Sequence, residues 1–409
     1  MKSSIVNTSI NYVLVLFAFL LPISTPMTNI AIIILILLWL IEGNYKKKYE
    51  VLKSSLPFKL FFAFILLIGL SLFWSSGIDE GFSNNKQNAI LFYFRYYFFG
   101  FMILPIILTS MKKAFIDYIV SSFILAMLVS ELMSWGIFME WIHYKDVLPN
   151  NPSPFMNHTF YSIFLAVTIF VLIVQFFQTK TQFYRILIGL FILSAIVNLF
   201  LNGGRLGQIA FFVALFVLIG LKYKITFKSI GLFLLLSTVV FFTAYKVSPI
   251  FQKRMDLSMA SLEKITEGKY NSSLGIRVNA LVVAKELVKE NPVLGVGIGS
   301  ARTEFLEKAK KFPQTGFFPR LRHLHNGYMQ ILVETGFVGL ALFFLYIYFL
   351  LKLDLPRDQY ILMSTIIVIF LMGFVGEPLF FSRKPYLLFI LFMGIFMYSA
   401  QNKKRVKTT

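Results

Sequence analysis

Cysteine is absent from the 409 residues. Disulfides and thiolate metal sites are therefore excluded, and the redox compartment leaves no mark. Charge is scarce as well: 14% of residues are charged against 57% hydrophobic, with a mean hydropathy of +0.75. A soluble chain averages about 25% charged. Acidic residues are the rarer sign, 19 against 39 Lys and Arg. No D-x-D, H-E-x-x-H or other His/carboxylate spacing of the metal-site type occurs, which disfavours a metal-dependent transferase fed by nucleotide sugars. Neither a metal nor a cofactor is expected. Ten-residue polar–apolar alternation is missing too, which excludes a membrane β-barrel. No fixed-period repeat and no matched pair of Gly/Pro-broken spans marks an inverted-repeat transporter.

What is present is a series of apolar runs of roughly 17–22 residues, each long enough to cross a bilayer core. The reading is an all-α polytopic membrane protein with about 12 transmembrane helices. Spans are expected near 8–22, 27–41, 58–74, 88–108, 114–135, 159–178, 185–201, 206–221, 228–245, 330–352, 359–375 and 384–400. The first 26 residues resemble a signal peptide, but no A-x-A-like site follows, so a retained first span is expected. The chain divides into spans 1–9 over 1–245, a helical outer loop over 246–324, and spans 10–12 with a short tail over 325–409.

The connections alternate in charge. One set, from Lys2 through Lys46, Lys47 and Lys48 to Lys403, Lys404, Arg405 and Lys407, holds 19 basic residues. The short connections of the other set hold only Lys86, Lys145, Arg205, Arg383 and Lys384. The positive-inside rule makes the first set, and both termini, cytoplasmic. Most of the net charge of +20 is then orientation and contact with lipid headgroups, with no nucleic acid partner.

The 246–324 connection breaks this pattern, with 14 basic and 7 acidic residues on the outer face. Net positive charge placed against the topological preference suggests an anionic partner. Within the loop, Met255, Met259, Leu262 and Ile265 lie at helical spacing in 254–266. A second helix over 275–290 aligns Ile276, Ala280, Val283 and Leu287, with Asn271, Ser272 or Ser273 as its cap and Asn291-Pro292 as its stop. A charged helix is expected over 300–312. GVGIG at 295–299 matches no phosphate-loop spacing and reads as a close turn against the membrane.

Polar residues inside or at the ends of spans gather in the outer half. Arg95, Glu131, Glu334 and Glu377 are among them, as are Asn198, Asn202, Arg205 and Gln208 around the tight turn LNGGRLGQ. A charge at helix centre costs about 2.5–3.5 kcal/mol on insertion scales, so such residues face a cavity or pair. Arg95 is either a supporting residue or a clamp paired with Glu131. Gly203, Gly204 and Gly207 around Arg205 permit close approach of a backbone or a ligand. The stretch RLRHLHNGYMQILVETGFVGL, 320–340, brings two arginines, two histidines and a glutamate to the mouth of an apolar span. Taken alone, His325 fits an interfacial histidine better than a catalytic one; His323 is a weaker candidate, and His143 and His158 receive no role. Arginines with one histidine at a membrane surface do fit a specific chemistry. A departing diphosphate leaves charge on oxygen, which arginine forks can meet without a metal. A neutral histidine can take the proton of an attacking hydroxyl.

HNGYMQILVETGFVGL (325–340) resembles the HN-x-Y-L-x-x-L-x-E-x-G-x-x-G-L signature of the bacterial O-antigen ligase and polymerase superfamily. GGRLG (203–207) is similar to that family's S-R-G turn, with Gly204 where Ser is usual. GIRVNALVVAKELVKENPVLGVGIGS (275–300) resembles its R-x-x-x-W-x-x-A…P-L-x-G-x-G-x-G segment, with Asn279 or Leu281 in place of the aromatic. The resemblance implies a metal-independent, inverting glycosyltransferase in the bacterial inner membrane, with its active site facing the periplasm. It implies transfer of a polysaccharide from undecaprenyl diphosphate to the lipid A–core oligosaccharide. Arg205 and Arg277 match the diphosphate-holding arginines and His325 the base, with Asn326 and Glu334 supporting it. Polymerase and protein O-oligosaccharyltransferase are alternatives within the superfamily. The single large loop and the short tail favour the ligase. A lipid or glycan transporter would carry charges through both membrane halves, and a non-enzymatic scaffold would tolerate loss of Arg205, Arg277 and His325.

Overall fold

The computed structural model describes residues 2–76, 88–312 and 323–408. It is all α: among the described residues twelve helices are long and apolar enough to cross a membrane. They are Ser4–Ile23, Thr25–Glu42, Leu56–Trp74, Ala89–Ser110, Lys113–Phe138, His158–Gln178, Gln182–Leu201, Arg205–Tyr223, Phe227–Val247, Gly327–Leu351, Arg357–Gly376 and Arg383–Lys403. All twelve correspond to the apolar runs. Their ends follow local chemistry. Ser24 and Ser55 cap their helices ahead of a proline in the first turn, and Asn157 accepts from the Phe160 amide at 2.9 Å.

The spans are not equivalent. Arg383–Lys403 has 78% of its apolar window buried and Phe227–Val247 only 6%, so the last helix is a central post and the ninth lines the rim. Arg205–Tyr223 packs between His158–Gln178 and Arg357–Gly376. Beside the post, Phe380 meets Phe374, Phe389 and Tyr386 at ring separations of 4.9, 5.1 and 5.3 Å. Aromatic pairs at such distances add about 0.5–1.5 kcal/mol each beyond burial. The short turn that carries Phe380, Leu379–Phe381, is thereby pinned just after Glu377.

Some of the basic residues do more than orient the chain. Lys48 is buried, pairs with Glu42 at 2.9 Å, donates to the Trp39 carbonyl and stands 4.4 Å from that indole. Arg95 is exposed and forms no ion pair with Glu131 among the described residues. Glu131 instead accepts from the Ser194 hydroxyl and, at 3.4 Å, from the Trp135 indole N–H. Ser194 comes from the neighbouring helix Gln182–Leu201, and Trp135 lies one turn along Glu131's own helix.

Among the described residues the loop contains three helices, Pro249–Thr266, Ser273–Glu290 and Ala301–Ala309. Ser272 is the cap of the second and Asn291 ends it. Ala280, Val283 and Leu287 are buried against Phe305, Leu324 and Val333. The first helix starts earlier than its stripe suggested, at Pro249, and Met259 and Leu262 stay exposed. GVGIG lies against a break in the tenth span. At Gly336 the backbone takes φ 64° and ψ −164°, a region in which a side chain is strained. The break frees backbone groups that the loop then satisfies. Val296 N–H donates to Val333 O at 2.8 Å, Gly297 to Glu334 O at 3.0 Å, and Phe337 to Pro292 O at 2.8 Å. Unpaired peptide groups are costly in hydrocarbon, so this rail fastens the loop to the membrane bundle. Arg320 and Arg322 lie outside the described residues.

Candidate functional site

The site forms where the loop meets the ends of several spans. Arg205 opens the Arg205–Tyr223 helix, directly after the glycine turn. That turn is pressed against His158–Gln178: a Cβ on Gly204 would stand 2.4 Å from Ser162 Cβ, and one on Gly207 only 2.3 Å from the Ser162 backbone. This explains Gly204 at a position where the resembling family has serine. Asn202 Oδ1 accepts from the Gly204 amide at 2.8 Å and Asn151 Oδ1 from Gly203 at 2.9 Å. The turn is therefore held from both sides, and Arg205 Nη1 donates to Ser258 Oγ at 2.6 Å. Ser258 in turn donates to the Arg254 carbonyl at 2.7 Å.

Arg205, Arg254 and Arg277 are electrostatic neighbours. Three guanidiniums that repel one another at a half-buried site are an unfavourable arrangement without an anion to share. Arg254 comes from the first loop helix, Arg277 from the second. Arg254 was missed in the sequence because it is one of 14 loop cations and sits in no recognised motif.

Glu377, at the end of Arg357–Gly376, joins the arginines to the histidines. Its Oε1 is 3.0 Å from His325 Nδ1 and 3.8 Å from Arg277 Nη2, and its Oε2 is 3.5 Å from His323 Nε2. Burial by itself opposes ionisation of this carboxyl. The hydrogen bond from His325 and the attraction of His323, His325 and Arg277 outweigh it and hold the group below its ordinary range. An ionised carboxylate only accepts, so His325 carries its proton on Nδ1 and leaves Nε2 as the free basic nitrogen. His323 accepts from the His325 amide through Nδ1 at 3.3 Å, which leaves its own Nε2–H for Glu377.

His325 has φ 51°, in the left-handed region. Few residues with a side chain adopt it, and a persistent outlier of this kind is typical of functional sites. Asn326 fixes the next step: its Oδ1 accepts from the Met329 amide at 2.9 Å, capping the tenth span, and its Nδ2 donates to the Val375 carbonyl at 3.0 Å. Asn326 thus ties the histidine's helix to the helix that ends at Glu377. Glu334 does not touch His325. It accepts from Gln330 Nε2 at 2.7 Å, and Gln330 Oε1 accepts from the Leu324 amide at 3.0 Å, so it reaches the histidine only through the backbone before it. Arg95 lies apart from this cluster, with its carbonyl taken by Arg383 and its guanidinium 5.8 Å from the Tyr96 ring.

His323, His325 and Glu377 place their ligand atoms within 4.8 Å of one another, a spacing that could hold a metal ion. Arg277 stands 3.8 Å from the same carboxylate, so an ion seated there would share the acid with a positive neighbour. His158 lies on the arginine side, its Nδ1 3.2 Å from Asn151 Nδ2.

Fold and site together define a multi-pass α-helical membrane protein with clustered arginines and a carboxylate-held histidine where a large loop meets the span ends. Residues 189–344 match the family model described as O-antigen ligase, and the chain carries that family's domain over this segment. The match encloses Arg205, Arg254, Arg277 and His325 and stops short of Glu377. A Rickettsia typhi protein provisionally named a polysaccharide ligase is 29% identical over 194 residues, 46% of this chain and 44% of that one. An uncharacterized Haemophilus influenzae protein is 30% identical over 183 residues, 44% of this chain and 45% of that one. The chain thus aligns with somewhat under half the length of each of these relatives. These are likenesses over part of the chain to a family described as O-antigen ligase and to a protein named a polysaccharide ligase.

Proposed function

We propose that this protein is an O-antigen ligase, moving a polysaccharide from undecaprenyl diphosphate to a hydroxyl of the lipid A–core oligosaccharide. The observation that carries the reading is one continuous array: three arginines, then Glu377, then a histidine with its Nε2 free. In the transfer, the acceptor oxygen bonds to the anomeric carbon while the bond from that carbon to the phosphate oxygen breaks. The electron pair leaves with the diphosphate, and His325 Nε2 takes the acceptor's proton. Arg205, Arg254 and Arg277 meet the charge that develops on the leaving group, a contribution that donors fixed in place make without reorganising. Glu377 holds the imidazole and stabilises its protonated form, as carboxylates do for histidine bases elsewhere. Asn326 and Glu334 support the backbone on either side of His325.

The reading assigns 1–245 and 325–409 to the membrane and 246–324 to the catalytic loop. It sets the protein in a bacterial inner membrane, with termini in the cytoplasm and the site at the periplasmic face, as the alternation of basic connections favours. The test is reconstitution in lipid nanodiscs with a glycan on undecaprenyl diphosphate and lipid A–core as acceptor, with EDTA and without ATP. Glycan on lipid A–core is the expected product. Product only after addition of ATP or a divalent metal would refute the mechanism. Transfer to a second undecaprenyl-linked glycan in preference to lipid A–core would make the enzyme a polymerase.

A further inference from the structure

Next to the arginines lies an open cavity of ≈ 550 Å³, within the range of ligand sites. One wall is the 146–157 segment, the other a face of Pro249–Thr266. We propose that this cavity is a glycan subsite that takes the first sugar residues of the donor, those joined to the diphosphate. The proposal rests on the diphosphate reading above.

Three observations carry it. The wall chemistry suits hydroxyl-rich ligands. Asn150, Asn151 and Asp146 offer amide and carboxylate partners, while Lys253 and Arg254 face them across the opening and Leu257 lends an apolar surface. Paired donors and acceptors around an apolar floor match a sugar ring, which carries hydroxyls at its edge and C–H groups on its faces.

The cavity is also continuous with the diphosphate grip. Arg254 lines it and is tied through Ser258 to Arg205. Asn151 lines it and holds the Gly203 amide of the arginine turn. A group leaving the arginines in this direction enters the cavity at once; the diphosphate bears a sugar at one end and the polyprenyl chain at the other, and the polar walls suit the sugar.

The third observation separates donor from acceptor. Neither His325 nor Glu377 lines the cavity; they meet the cluster from the side of Arg277. In an inverting displacement the nucleophile and the leaving group occupy opposite faces of the anomeric carbon. The anomeric carbon therefore sits between the histidine and the arginines, and the acceptor hydroxyl comes from the histidine side. The cavity beside Arg254, off that line of approach, is left for the glycan that runs on from this carbon.

The experiment compares affinities of the nanodisc-embedded protein for bare undecaprenyl diphosphate and for undecaprenyl diphosphate carrying a short oligosaccharide. Two variants alter the cavity through exposed positions: Asn150→Ala with Lys253→Ala removes polar partners, and Leu257→Trp fills the space. The wild type should hold the glycan-bearing lipid about tenfold more tightly, the equivalent of two modest hydrogen bonds. Both variants should erase that preference, leaving affinity for the bare lipid and KM for lipid A–core unchanged. Equal affinity of the wild type for the two lipids overturns the proposal and leaves the diphosphate reading standing. A rise in acceptor KM instead makes the cavity an acceptor site, and binding of neither lipid overturns both readings. If the double variant fails to insert, Leu257→Trp, which removes no polar group, decides alone.

Discussion

Replacing Glu377 by glutamine tests the centre of the mechanism with the least change of shape. The side chain keeps its volume and one accepting oxygen but loses its charge. Two interactions in the site depend on that charge. The first is the hydrogen bond with His325 at 3.0 Å, a charge-assisted contact that contributes about 1.5–3 kcal/mol. The second is the attraction to Arg277 at 3.8 Å. At an effective dielectric of about 20 it is on the order of 4 kcal/mol before the desolvation that offsets much of it. The imidazolium appears only as the acceptor's proton is taken, so the loss falls on the transition state more than on substrate binding. With about 1.4 kcal/mol per tenfold in rate, Glu377→Gln should lower kcat by roughly 10- to 150-fold with a smaller change in donor KM. Glu377→Asp, which restores the charge on a shorter arm, should recover part of the rate. The assay is glycan transfer to lipid A–core by purified protein in nanodiscs, with thermal stability recorded for each variant. A glutamine variant within twofold of wild-type kcat at unchanged Tm would show that Glu377 does not govern the base.

Arg254→Ala should reduce transfer as severely as Arg205→Ala or Arg277→Ala, by roughly 10- to 150-fold each, since each removes one charge-assisted contact to the diphosphate; initial-rate kinetics on the three variants decide this. Gly336→Ala should cost about 2 kcal/mol or more of stability and lower Tm, because φ is 64° and the new Cβ would stand 2.2 Å from Val293 O; a thermal shift in detergent measures it. Glu377 has its carboxyl held below the ordinary 4.5, so its contribution to stability is complete above that value and is lost as pH falls through the lower folded value. Glu377→Gln should accordingly flatten part of the acid loss of Tm in a pH series. Zinc added at micromolar levels should inhibit by seating on His323, His325 and Glu377, whose ligand atoms lie within 4.8 Å, and EDTA should restore the rate; inhibition unchanged in His323→Ala would refute that assignment.

The sequence by itself determined the membrane-spanning architecture, because a helix must carry enough apolar residues to match the hydrocarbon thickness wherever it sits in the bundle. It also pointed to Arg205, Arg277 and His325 through local motifs, and to the loop helix over 275–290 through its period. Tertiary structure alone decided which groups meet. Glu377 lies 52 residues from His325 and carries no motif around it, so only the docking of its helix against Asn326 reveals it as the histidine's partner. Arg254 became distinguishable from the other loop cations only when its helix was brought against the glycine turn that precedes Arg205. The pairing of Arg95 with Glu131 failed for the same reason. Depth in the membrane can be counted along a chain, but the direction a side chain faces depends on neighbours far away in sequence.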